Sequence, residues 1–218
     1  MPTILAIDSA IGISSVAIWQ GGKVAAYLED RESSMQSARL MPLVEAALTK
    51  AELSYSDLSL VAATVGPGSF TGIRIGLAAA RGIAFAARIP CVGYTTLEVM
   101  HEALCHPDES RDPALKELDT VFRRYDKYLC ILNAGKGEVY YQVFGKEKTQ
   151  PAIGKLEDIL ARYPNAIIAS SMSPAAITHP KADALARLAA TKPESALPPS
   201  PFYIRPPDAK PQGSMKVS

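Results

Sequence analysis

Two groups of residues in this chain have types and spacing that could do chemistry. The first is TVGPGSFTGIRIG, Thr64 to Gly76, with four glycines between an apolar run and an alanine-rich segment. A glycine-rich turn opening a helix can cradle phosphates with its backbone N–H groups, or simply let two pieces of backbone lie close together. The strong phosphate motifs fail here. No lysine lies between Lys50 and Lys116, so there is no P-loop, and Gly66, Gly68 and Gly72 are spaced G-x-G-x-x-x-G where the dinucleotide fingerprint needs G-x-G-x-x-G. Ser69 and Thr71 do not form a nucleophile elbow, and capping of a helix N-terminus explains both hydroxyls. The second group is His101, Cys105 and His106, of which His101 and Cys105 are four apart on a helical pattern. Zinc there would need further ligands that no second cluster supplies, so these residues read as helix surface; His179 precedes Pro180 and has no partner.

The elements that must position these residues follow from periodicity. Thr3–Ile7, Ser14–Trp19 and Lys23–Asp30 read as strands, the last two joined by Gly21-Gly22, a two-residue hairpin signal. Leu40, Leu43, Val44, Ala47 and Leu48 share one face of a helix over Met35–Lys50, kinked or started by Pro42. Ser54–Asp57 has capping-box spacing. Then come a strand at Leu60–Val65, a helix at Thr71–Ala87, a strand at Cys91–Tyr94 and a helix at Thr96–Cys105. This order implies a mixed sheet with helices packed on it. His106–Lys127 reads as an irregular connection, followed by strands at Tyr128–Asn133 and Glu138–Phe144, a helix at Leu156–Tyr163, a strand at Ala166–Ala169 and a helix at Ala182–Ala190. Pro193–Pro211 is a proline-rich tail around PFYIR.

One echo runs through this order. A strand ending in Asp8, three residues, Gly12 and another strand is matched by a strand ending in Asn133, three residues, Gly137 and another strand. A second regularity lies in the glycine stretch, where Gly72, Gly76, Ala80 and Ala84 recur every four residues and leave a nearly side-chain-free stripe. Spacing alone leaves open whether the backbone that meets it is this chain's own or a partner's.

Composition narrows the classes. The 218 residues are 48% hydrophobic and 21% charged, enough for a sizeable core, with a formal net charge of +1 that gives no electrostatic grip on nucleic acid. No export signal is expected from MPTILAID, and no membrane span from Ile73–Ile89, which carries three arginines. Three cysteines without a CxxC suit reduced thiols in a cytoplasmic protein.

GPGSFTGIRIGLAAARGIAF, with ILAIDSA before it, IPCVGYTTLEVM after it, GEVYYQVF in the middle and YIR near the end, closely resembles the TsaB (YeaZ) family of bacteria. The resemblance implies the α/β superfold of actin, sugar kinases and Hsp70, of ribonuclease H-like halves: residues 1–98 as the first and residues 99–218 as a reduced second with the tail. It implies a non-catalytic subunit in threonylcarbamoyl modification of tRNA adenosine, with a TsaD-type catalytic partner and a TsaE-type ATPase. Homodimerisation is the competing association, and tRNA would be met only through the complex. The paired histidines of TsaD-type metal sites are missing, Gln36 standing where many family members keep one. Asp8, Ser9 and Gly12 would form a vestigial phosphate hairpin; Asn133 and Gly135 replace the aspartate and arginine common in the family. Capping of the turn is the plainer role for Asp8. No intrinsic cofactor or metal is expected, though ATP or ADP could sit at a subunit boundary.

On this reading the helices at Met35–Lys50 and Thr71–Ala87 form a joint docking surface. Leu40, Leu43 and Ala47 are its exposed apolar anchors, Thr71, Gly72, Gly76, Ala80 and Ala84 its small-residue face, and Arg39 and Arg74 its rim. Leucine at Gly76 or Ala80 is expected to abolish association and leave the monomer folded. The rivals are a small-molecule kinase or a metallopeptidase on the same superfold, and an RNA-binding module around Arg123, Arg124, Tyr125 and Lys127.

Overall fold

A computed structural model describes residues 2–32, 35–106, 127–146, 148–170, 172 and 180–205. Apolar β1 (Ile4–Asp8) pairs antiparallel with β2 (Ser14–Gln20), and β2 pairs antiparallel with β3 (Lys23–Asp30). The β2–β3 turn is Gly21-Gly22 with both residues at positive φ, the conformation a tight twisted hairpin demands. Helix α1 (Gln36–Lys50) crosses back to β4 (Leu60–Gly66), which lies parallel to β1; a 3-10 turn at Tyr55–Asp57, capped reciprocally by Ser54 and Asp57, intervenes. Helix α2 (Phe70–Ala87) leads to β5 (Cys91–Thr95), parallel to β4. The resulting order is β3-β2-β1-β4-β5.

The second sheet repeats the first four strands. β6 (Lys127–Gly135) pairs antiparallel with β7 (Glu138–Gly145), β7 with β8 (Ala152–Lys155), and β6 parallel with β9 (Ile167–Ser170), giving β8-β7-β6-β9. The short α4 (Leu156–Arg162) stands where α1 stands in the first unit. No counterpart of α2 and β5 follows β9 among the described residues. Instead α5 (Ala182–Thr191) returns to the first sheet, its Ala182, Leu185, Ala186 and Ala189 packing with Ile4, Ala6, Ala17 and Tyr94.

Helices α1 and α2 cover one face of the first sheet, where Leu5, Ile7, Val16, Ile18, Val61 and Ala63 meet Leu40, Val44, Ile73 and Leu77. Helix α3 (Thr96–Cys105), capped by Thr95 and Glu98, joins the two sheets: Val99 packs with the α5 side, while Leu97, Met100 and Leu104 pack with Cys130, Leu132 and Phe144. A line drawn at residue 98 therefore falls inside a helix that both units share. Helix α2 is long and apolar enough to cross a membrane by length and composition, and in this fold its Ile73, Leu77, Ala80 and Ala84 are buried against the sheet.

Candidate functional site

The glycines of the opening stretch have a structural assignment. Ser69 caps α2, its Oγ accepting from the Gly72 N–H at 3.2 Å, and the Ser69 N–H donates to the Ala10 carbonyl at 2.6 Å. Ser9 Oγ donates to the Gly72 carbonyl at 2.7 Å. A Cβ on Gly72 would collide with the Ser9 carbonyl oxygen, and one on Gly76 with Ser9 Oγ. The glycines thus let the turn after β1 lie directly on the first turns of α2.

The residues of the expected phosphate hairpin are largely enclosed. Asp8 and Ser9 are buried with 0% and 1% exposure, and only Gly12 is partly accessible. Asp8 Oδ1 accepts from Thr64 Oγ1 at 2.6 Å and from the Ala10 N–H at 3.4 Å; among the described residues Oδ2 has no partner. Burial pushes the Asp8 carboxyl up to about 7, against the pull of the Thr64 and Ala10 hydrogen bonds. Asp8 caps the turn, and its charge faces protein, not solvent.

The docking surface is corrected in detail as well. Leu40 and Ala47, expected as exposed anchors, are buried at 1% and 0%, because their stripe on α1 faces the sheet. Gly72, Gly76, Ala80 and Ala84 are buried too, closed against Ser9, Ile7 and the core. Leucine at Gly76 or Ala80 would disrupt the monomer itself. Leu43 is half-buried; Arg39, Thr71 and Arg74 are exposed, Arg39 being held by Asp30 at 2.5 Å and by Glu32. Gln36 is buried, with its amide 3.3 Å from Ser14 Oγ.

What α2 presents outward is a second set: Arg74, Ala78, Arg81, Gly82, Phe85 and Ala86. Phe85 is 88% exposed, and among the described residues a Cβ on Gly82 would meet nothing within 4 Å. On α1, Met41, Pro42, Glu45 and Ala46 face the same way out of the core. The signal for this set was in the sequence. Arg74 and Arg81, seven apart, mark the water side of α2, whereas Ile73, Leu77 and Ile83 flank the glycine stripe on the core side.

The tail contributes residues that spacing did not suggest. Leu197 exchanges two backbone hydrogen bonds of 2.8 Å with Gly93, and the Phe202 N–H donates to the Val65 carbonyl at 2.7 Å. The Tyr203 ring stacks on Phe70 with centroids 5.7 Å apart, Arg74 lies 3.7 Å over Phe70, and Arg74 Nε donates to the Tyr203 hydroxyl at 3.1 Å. Arg205 reaches the second hairpin, bonding the Ala134 carbonyl at 3.2 Å and pairing with Glu138. That hairpin is open: Asn133 is exposed, its Oδ1 accepting from the Gly135 N–H at 2.8 Å.

His101 is a packed ring. It stacks 4.2 Å from Phe144, edge-on to Tyr128, with Nε2 3.4 Å from Cys105 Sγ; burial, with help from Lys192, pulls its imidazole down to about 4. His106 turns instead to Glu102 at 3.0 Å. Among the described residues no three His, Cys, Asp or Glu side chains converge. His179, Arg123, Arg124 and Tyr125 lie outside the described residues.

Residues 32–185 match the family model described as TsaD, tRNA N6-adenosine threonylcarbamoyltransferase. The chain is 33% identical over 147 residues to the tRNA threonylcarbamoyladenosine biosynthesis protein TsaB of Escherichia coli (strain K12), covering 66% of this chain and 56% of that protein. It is 34% identical over 98 residues to TsaB of Bacillus subtilis (strain 168), covering 45% and 43%. The match thus spans little more than half the length of the Escherichia coli relative. Among solved structures, YeaZ from Pseudomonas aeruginosa superposes with TM-score 0.69 at 20% identity over 93% of this chain and all of that one. A structure described as an uncharacterized protein with similarity to peptidase YEAZ from Pseudomonas aeruginosa gives 0.73 at 22% identity over 94% and 100%. These last two establish the fold, a mixed α/β architecture of two sheets. With the family model spanning most of the chain and TsaB proteins as its curated relatives, the protein belongs to the TsaD family, in its TsaB (YeaZ) branch.

Proposed function

We propose that this chain is a non-catalytic subunit in threonylcarbamoyladenosine biosynthesis on tRNA, and that it docks a TsaD-type catalytic subunit through the outer faces of α1 and α2. The relatives' names supply the pathway, and the family match supplies the kind of partner. The chemistry is assigned to the partner because the strand-end carboxylate of the first hairpin is buried, the second hairpin offers a neutral amide, and Gln36 points its amide at Ser14. A TsaE-type ATPase would join the assembly, and nucleotide, if bound, would sit at a subunit boundary. tRNA would be reached through the complex.

The observation that carries the reading is the division of α2 into two small-residue faces. One is closed against the chain's own first hairpin; the other, Ala78, Gly82 and Ala86 beside Phe85, is left open to another backbone. Burying Phe85 in a partner is worth about 1.5–3 kcal/mol in area terms. The test is Gly82→Leu. Among the described residues no atom lies within 4 Å of a Cβ placed there, and a leucine in place of a helix-interior glycine should raise helix stability by up to about 1 kcal/mol. The variant is expected to melt no lower than wild type and to stop co-eluting with the TsaD-type subunit on a sizing column. Undiminished co-elution would refute the assignment of this face.

A further inference from the structure

The tail touches both units in a fixed order. Leu197 exchanges backbone hydrogen bonds with Gly93 on the outer edge of β5, and the Phe202 N–H donates to the Val65 carbonyl near the end of β4. Both side chains pack on the core of the first sheet. Two glycines keep this path clear: a Cβ on Gly66 would stand 2.7 Å from the Phe202 carbonyl oxygen, and one on Gly93 would stand 3.0 Å from that of Pro198. Pro198, Pro199 and Pro201 restrict the segment before it docks, which lowers the entropy cost of ordering it. Next comes Tyr203, whose ring stacks on Phe70, the first residue of α2, and whose hydroxyl accepts from Arg74. Two residues later Arg205 crosses to the second unit, donating to the Ala134 carbonyl at 3.2 Å and pairing with Glu138.

We infer that residues 197–205 form a strap with a fixed end and a releasable one: the first sheet holds Leu197 and Phe202, and Arg205 is a latch that ties the second hairpin to the first turn of α2 and opens without unfolding either unit. The two ends differ physically. The fixed end is made of backbone bonds on a sheet, with apolar side chains behind them. The latch is a guanidinium and a carboxylate whose side chains keep 24% and 38% exposure, so water and salt compete for both. The main seam between the units is apolar, Leu97, Met100 and Leu104 of α3 facing Cys130, Leu132 and Phe144, and on β6 its last residue is Leu132, two short of Ala134. The turn of the hairpin therefore lies beyond the seam, where the latch is what positions it against α2. Tyr203 sets the reach. Two residues span at most about 7 Å, so a pinned Tyr203 keeps the guanidinium beside the hairpin at a high effective concentration. Opening the latch frees the Ala134 carbonyl and the Glu138 carboxylate from the chain's own guanidinium.

The experiment is amide hydrogen exchange of the full chain, resolved by NMR, for wild type, Arg205→Ala and Tyr203→Ala. Arg205→Ala should lower protection of residues 133–139 about fivefold. Tyr203→Ala is the discriminating variant, because its side chain touches only residues of the first unit. It should nonetheless lower protection of the same hairpin about threefold, since the guanidinium is then less closely held. In both variants the amides of Gly93 and Leu197 should exchange as in wild type, which shows that the fixed end and the first sheet are intact. A third arm needs no substitution. Raising ionic strength from about 0.05 to about 0.5 M should bring the wild-type hairpin down towards the Arg205→Ala level, leaving that variant and the amides of Gly93 and Leu197 unmoved. Wild-type protection of residues 133–139 in Tyr203→Ala would overturn the inference, reducing Arg205 to a local ion pair. So would a salt effect equal in wild type and Arg205→Ala, or loss of the Gly93 and Leu197 protection when the latch is removed, which would mean that the strap has no separate ends.

Discussion

The two hairpins share one topology and have opposite surroundings. In the first, the turn after Asp8 is buried, laid on the glycines of α2 and bonded to them through Ser9 and Ala10. In the second, the turn after Asn133 is exposed, bonded within itself and held from outside by Arg205 of the tail. The difference follows from what comes next in the chain. The first unit has α2, whose glycines admit a backbone; the described second unit has no such helix, and a strap of tail takes its place.

Breaking the first hairpin's contact should have the largest effect. Gly72→Ala places a methyl on the Ser9 carbonyl oxygen, where backbone must move, and should cost at least about 3 kcal/mol in urea denaturation. A midpoint close to wild type would mean that the turn is not held as described. Next is Asp8→Asn, which makes the first turn resemble the second. The Asp8 carboxyl titrates near 3.8 in the unfolded chain and near 7 when folded, so the folded state keeps its proton through that window. Stability therefore falls as pH rises from about 4 to about 7 and levels off above, by up to about 4 kcal/mol in total. The asparagine variant should lose this slope, and an identical pH profile would exclude Asp8 as its source. Arg205→Ala should act locally, lowering hydrogen-exchange protection of residues 133–139 by about 1 kcal/mol while the first sheet is unchanged. Asn133→Ala, at an exposed self-bonded turn, should change stability by no more than about 0.5 kcal/mol.

The strand and helix order was legible because each element is strongly periodic, and the echo between Asp8–Gly12 and Asn133–Gly137 marked a true structural repeat. The edge strand Ala152–Lys155 was missed because four residues carry too little alternation to register. Helix α1 followed its pattern closely, yet Leu40 and Ala47 were assigned outward although an apolar stripe at that spacing is what a sheet-facing helix shows. On α2 the difficulty is physical: both faces are made of small residues, so spacing identifies two smooth stripes and does not say which one the chain uses itself. The arginine spacing resolves it. The tail contacts of Tyr203 and Arg205 span more than sixty residues of sequence and have no periodic signature at all.

The proposed docking requires the outer face of α2 to be the surface that a TsaD-type subunit covers. Ala78→Cys puts a thiol on the outer face of α2 and Asn133→Cys puts one on the open second hairpin; the rate at which each reacts with a maleimide is measured with and without the TsaD-type subunit. The account predicts that the partner shields the thiol at position 78 strongly and leaves that at 133 reactive. Shielding at 133 with none at 78 would contradict it.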